Sequence, residues 1–139
     1  MFFFIFRQGL GEPMKLTDYL DNTKAYVWKE TYAIIKSKKV FPEAIANIID
    51  KNEITVITEQ SKYNEKDVME MEKDFKILTF DTTLPFGLVG FLATVSKELA
   101  EADISAFFIS AYSTDHILIK ENDLDKARER LLKLGIIWS

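Results

Sequence analysis

The spacing of apolar and polar positions changes period several times along this chain, and turn residues mark the changes. In Phe75 to Asp81 (FKILTFD), Phe75, Ile77 and Thr79 fall on one side, with Lys76, Leu78 and Phe80 on the other. That period of two predicts a strand. Leu84-Pro85-Phe86-Gly87 breaks it, and from Leu88 to Ala102 the spacing is helical. Leu88, Leu92, Val95 and Leu99 recur three or four apart with Phe91 alongside, while Thr94, Lys97, Glu98 and Glu101 take the wetter side. Ile104 to Tyr112 reads as a strand apolar on both faces. Ser113-Thr114-Asp115 is a polar turn, and His116 to Lys120 is the return strand of a hairpin. Asn122 or Asp123 then caps a helix with Leu124, Ala127, Leu131 and Leu134 as its inner stripe. Gly135 ends that helix, and Ile136 to Trp138 adds a last strand. The order strand–helix–strand–strand–helix–strand is the ferredoxin-like βαββαβ pattern, an α+β fold with an antiparallel sheet and helices on one face.

The first half reads as a shortened version of the same plan. Tyr32 to Lys36 is a strand, preceded by a possible strand from Ala25 to Lys29. Phe41-Pro42 starts a short helix with Ile45, Ile48 and Ile49 turned inward, since proline suits a first helical turn. Glu53 to Glu59 is a clear strand, and Glu65 to Lys73 a charged, weakly amphipathic helix. The expected organisation is therefore an extension over residues 1–18, a reduced unit over 19–73 and a complete unit over 74–139. Within the extension, Met1 to Phe6 (MFFFIF) is too short to span a bilayer and lacks the marks of a signal peptide. Met14 is read as the native start, with an added edge strand as the competing reading.

Composition narrows function mainly by exclusion. The chain has 139 residues, 47% hydrophobic and 29% charged, and 11 phenylalanines to fill a core. Its net charge of −4 and scattered basic residues argue against nucleic acid and against an anionic membrane surface. There is no cysteine and a single histidine, so thiolate chemistry and His-based metal centres are excluded. No nucleophile–base set, P-loop or dinucleotide fingerprint appears, and no cofactor is expected.

The segment LPFGLVGFLATVSKELAEADISAFFISAYSTDHILIKENDLDKA resembles the ACT domain, in particular the ACT pairs of small stand-alone bacterial proteins and of Castor-type cytosolic arginine sensors. PFGLV stands at the family's Pro-Gly-Val segment. ELAEADISAFFIS matches the helix running into the second strand, and YSTDHILI followed by END matches the hairpin to the third. The resemblance is specific over Phe75 to Leu134, weaker over Thr31 to Glu59, and absent before residue 19. It implies a non-enzymatic, cytoplasmic regulatory protein that binds a free amino acid between ACT units. Because this chain holds one pair where the sensors hold two, a homodimer is implied, with an unidentified regulated partner.

The residues agree with that implication. Leu84, Pro85, Phe86, Gly87 and Leu88 line one side, and the helix start from Pro85 to Leu88 has unpartnered N–H groups that suit a carboxylate. Ser113, Thr114 and Asp115 in the facing turn suit an α-ammonium or a cationic side chain. Each also has a structural reading: glycine for close packing, Ser, Thr and Asp as turn formers, and His116 as a hydrogen-bonded strand residue. Two other functions stay open, a ligand-free dimerisation module of ACT fold and a small enzyme using Asp81, Asp115 and His116.

Overall fold

The computed structural model describes residues 16–85 and 88–139. The readings made for Met1 to Met14, both the start at Met14 and the added edge strand, lie outside the described residues. Within them the order is α1 (Leu16–Asn22), β1 (Lys24–Val27), β2 (Tyr32–Ser37), β3 (Ala46–Ile49), β4 (Ile54–Glu59) and β5 (Val68–Phe80). Then follow α2 (Phe91–Glu101), β6 (Ala106–Ser110), β7 (Asp115–Lys120), α3 (Leu124–Leu132) and β8 (Ile137–Trp138). The α+β ferredoxin-like arrangement read from the sequence is present.

One long strand, β5, organises the sheet. Its second half pairs with β7 on one edge, which in turn pairs with β6. On the other edge lies β1, with β8 parallel to it. Reading across gives β8-β1-β5-β7-β6, the ferredoxin order of the complete unit with β1 inserted next to β5. The first half of β5 pairs with β2, then β4, then β3. That is again the ferredoxin order, now without α-helices between the strands. Where the halves of β5 meet, Asp74 has φ of 68° and the register with β2 slips. Such a bulge turns the strand and shifts its side-chain alternation by one residue. The Gln60 side chain clamps it, accepting from the Asp74 N–H at 2.6 Å and donating to Asp74 Oδ1 at 2.9 Å.

Two helices expected in the first half are strands. Residues 46–49 form β3 at the sheet edge, leaving Ile45, Ile48 and Ile49 exposed rather than inward. Asn47 fixes this by hydrogen bonding both the N–H and the C=O of Phe41 at 2.8 Å, which folds residues 41–47 into a loop. The charged stretch 65–73 forms one 3-10 turn and then enters β5. Its charges serve cross-strand partners: Glu70 reaches Lys36 at 3.3 Å and Glu72 reaches Lys120 at 3.5 Å. Helix α1 was not expected, and it crosses the anticipated boundary at residue 18 with Leu20 in the core. Asp123 ends a 3-10 turn before α3 and makes no side-chain capping bond, unlike the cap expected there.

The main core lies between the sheet and the helices. Leu78, Phe80, Ile117 and Ile119 meet Phe91, Val95 and Leu99 of α2 and Ala127 and Leu131 of α3. In the first half, the same face of β2 and β4 (Ala33, Ile35, Val56) is covered by Phe41, Ala44 and Tyr63 from loops. The opposite face carries a second cluster around Tyr32, Ile57, Ile77 and Leu118. Burial, then Glu30 and Glu59, push the Tyr32 phenol from 10.0 up to about 12. The folded state therefore keeps a proton that the unfolded chain loses, and stability falls as pH rises between those values. A shift of that size is worth about 2–3 kcal/mol. Urea midpoints measured from pH 9 upward should show this loss in the wild type and a flatter profile in Tyr32→Phe.

Candidate functional site

The β5–α2 connection and the β6–β7 turn face each other across a cleft of about 310 Å³. That volume is at the small end of the range for small-molecule sites, about 300–1,000 Å³. Leu84, Pro85 and Leu88 line one wall, and Ser113, Thr114 and Asp115 line the other. Phe86 and Gly87 lie outside the described residues. The sequence reading thus named residues from both walls, although they are some 30 positions apart along the chain.

The helix start is displaced from its expected position. Helix α2 begins at Phe91, and the Leu88 N–H is already used by the Pro85 carbonyl at 3.0 Å. The amides without intrahelical partners are those of Phe91, Leu92 and Ala93, all three lining the cleft. Gly90 caps the helix with φ of 93° and offers no side chain to occupy them. A Cβ there would stand 3.3 Å from Leu16 Cδ2, so glycine also lets α1 approach. The Gly90 carbonyl receives both the N–H and the hydroxyl of Thr94, which stiffens the first turn. The positive end of α2 therefore opens on the cleft.

The facing wall is a tight hairpin closed by the Ala111 N–H on the Thr114 carbonyl at 2.9 Å. Asp115 opens β7, half-buried, paired in register with Ser110 on one side and Phe80 on the other. The salt bridges found among the described residues engage other side chains. The cleft thus has the partial positive charge of the α2 N-terminus on one side and Asp115 with two hydroxyls on the other, and its floor is Phe91 and Leu92. Val89 and Tyr112 are both largely exposed near its mouth.

Behind this wall lies a polar chain that the sequence reading reached only at its outer end, Thr114 and His116. Trp28 Nε1 donates to Thr79 Oγ1 at 2.6 Å, and Thr79 Oγ1 meets His116 Nδ1 at 2.7 Å. His116 Nε2 lies 3.4 Å from Thr114 Oγ1. Burial holds the imidazole below its ordinary pKa of 6.5, against the opposing pull of Asp115. Thr79, a buried hydroxyl on a strand face that also carries Ile77, was the sequence signal for it. Asp81 does not line the cleft with Asp115. Among the described residues no group of three or more His, Cys, Asp or Glu is arranged to hold a metal. No helix among them is long and apolar enough to cross a membrane.

A second cleft of about 280 Å³ lies on the opposite sheet face beside Phe107. Its Lys36 is ion-paired to Glu53 at 3.7 Å and Glu70 at 3.3 Å, so these charges serve sheet pairing.

No curated protein matches the chain. Among solved structures, a protein of Agrobacterium tumefaciens superposes with a TM-score of 0.74 at 18% identity, over 84% of this chain and 92% of that one. A Vibrio cholerae protein of unknown function, a possible transport protein, gives 0.71 at 22% identity, over 86% and 95%. The aspartokinase alpha and beta subunits give 0.61 at 14% identity, over 81% and 97%. At these identities the likeness is one of fold. The family model of the ACT domain matches residues 70–133, from the first half of β5 to the end of α3. Over that stretch the chain is similar to ACT domains, which are regulatory modules that often bind amino acids.

Proposed function

We propose that the chain is a non-enzymatic regulatory protein that binds a free amino acid in the cleft between the β5–α2 connection and the β6–β7 turn. The observation that carries this reading is the pairing of the two walls. The amides of Phe91 to Ala93 take the carboxylate, and Asp115 takes the ammonium or a cationic side chain, with Ser113 and Thr114 beside it. Leu84, Pro85 and Leu88 form the apolar side. Two units, 19–73 and 74–139, share β5 and divide at the Asp74 bulge, in the manner of the tandem ACT pairs of Castor-type sensors. A homodimer, cytoplasmic, completes the cleft and passes the signal to a partner protein.

The exposed Val89 and Tyr112 near the mouth support a second copy at this end, and they equally suit a ligand-free dimerisation module. A thermal-shift screen with the twenty amino acids separates the two. A ligand at about 100 times its Kd adds about 2.7 kcal/mol of stability. Asp115→Ala should weaken binding roughly ten- to a hundredfold, the cost of one charge-assisted hydrogen bond. Asp125→Ala, exposed on α3, should leave it unchanged. Equal affinity in both variants, or no response to any amino acid, favours the dimerisation module.

A further inference from the structure

We infer that His116 is a positioning residue of this cleft, holding the Thr114 hydroxyl so that its proton points at a ligand acceptor such as a carboxylate oxygen. The inference rests on the amino-acid reading above, and the geometry behind it is a polar chain with one direction. An indole N–H can only donate, so at 2.6 Å from Trp28 Nε1 the Thr79 oxygen is an acceptor. Thr79 is 2% exposed, and its own hydroxyl proton needs a partner in the protein. His116 Nδ1, at 2.7 Å, is that partner. Nδ1 is then unprotonated and the neutral ring carries its hydrogen on Nε2. Nε2 faces Thr114 Oγ1 at 3.4 Å, where the threonine oxygen accepts. The Thr114 hydroxyl proton is left to point away from the imidazole, and Thr114 lines the cleft.

The rest of the environment holds the ring in this state. Trp28 stands edge-on to the imidazole, centroids 6.2 Å apart and planes at 88°, and edge-on to Tyr32 at 5.8 Å. Ile109 lies opposite on β6, and Asp115, next along β7, is the charged group acting on the ring. Protonating the imidazole would set an Nδ1–H against the Thr79 hydroxyl and leave that buried proton without its acceptor. The imidazolium keeps its Nε2–H, so acid acts from the Thr79 side: it removes the Nδ1 acceptor contact that fixes the ring against Thr114, and binding should weaken as pH falls below the ring's folded-state pKa, which burial holds under the ordinary 6.5.

His116 is the single histidine of the chain, so its imidazole signals need no assignment. In long-range ¹⁵N–¹H spectra of the ligand-free full chain, we expect the Nε2–H tautomer and a titration midpoint below 6.5. The Thr114 methyl shift should follow the same midpoint. Glycine, which offers a carboxylate and an ammonium alone, is then titrated into three proteins. His116→Asn reaches the Nδ1 position only and should weaken glycine binding about tenfold, whereas His116→Gln places an N–H near the Nε2 position and should stay within about threefold. A merely structural histidine would lower the Tm of both variants without separating their affinities. An Nδ1–H tautomer, a flat Thr114 response, or equal affinities of the Asn and Gln variants overturns the inference. If neither glycine nor any other amino acid binds the wild type, the functional reading fails. The tautomer and the Thr114 response then decide the alignment by themselves.

Discussion

Replacing Phe80 by alanine should cost about 3–5 kcal/mol of stability, the usual range for emptying a buried phenylalanine site. Phe80 is fully buried at the end of β5, flanked in register by Ala25 of β1 and Asp115 of β7. Its ring meets Phe91 edge-on, centroids 5.2 Å apart and planes at 86°, and that geometry adds to the area it buries. Three elements close around the site, so a cavity there cannot collapse without moving strand, hairpin or α2. For a chain of this size the loss corresponds to a Tm drop of roughly 10–20 °C. Phe107→Ala, half-buried on the other sheet face, is the comparison and should cost less. The consequence reaches the cleft, because Phe91 is its floor and stands on Phe80. A Phe80→Ala variant that melts within about 1 kcal/mol of the wild type would mean the floor relaxes freely. The cleft would then not be a preformed site.

The part of the fold legible in the sequence was the part whose side-chain period is unbroken. From Phe75 onward, strand and helix periods each run over whole elements, and Gly135 closes α3 with φ of 96°. Upstream, the register of β5 with β2 slips twice, between partners Lys36 and Ser37 and again between Tyr32 and Ile34. Each slip exchanges the faces of the following residues. Val68 and Met71 consequently pack in one cluster although their separation is odd, and no period of two survives in EKDVMEMEKD. The charges there looked like a solvated helix because their partners, Lys36 and Lys120, are supplied by other strands. Ile45, Ile48 and Ile49 misled in the opposite sense. Their three-and-four spacing imitates a buried helical stripe, whereas Asn47 ties the loop, Ile48 and Ile49 sit on an edge strand and Ile45 just precedes it.

The cleft was legible for a related reason. Both walls are turns next to strongly periodic elements, so Leu84 to Leu88 and Ser113 to Asp115 stood out as interruptions. The amides facing the cleft were placed too early because a turn at Pro85 to Leu88 resembles a helix start until its hydrogen bond is seen. The polar chain through Trp28, Thr79, His116 and Thr114 could not be read as one feature. It joins three strands through cross-sheet neighbours, and only register brings Thr79 beside His116. Nor did periodicity indicate that β1 enters between β5 and β8, since a four-residue strand carries no information about its neighbours.

That insertion makes Gly135 the second position where one substitution should do most harm. Gly135 follows α3, donating its N–H to the Leu132 carbonyl at 3.0 Å, and its φ of 96° is a conformation in which an L side chain is strained. For alanine the left-handed region alone costs about 1–2 kcal/mol. The larger obstacle is spatial: an added Cβ would stand 2.9 Å from the Cα of Asp21. A side chain can rotate away, but this contact is backbone, so α1 itself must retreat. Helix α1 ends at Asn22 and leads through Thr23 into β1, and the Thr23 and Ala25 carbonyls accept from the N–H groups of Ile137 and Ser139. Moving α1 therefore loosens the β1–β8 pairing and withdraws Leu16 from Gly90 at the start of α2. Strain and displacement together should lower stability by about 3 kcal/mol, near the upper end of what single substitutions do. Hydrogen exchange locates the damage: amides of β1 and β8 should lose protection well before those of β5 and β7, which keep their own ladder. Uniform loss of protection across the sheet, or a Gly135→Ala variant as stable as the wild type, would show that α1 is not clamped there.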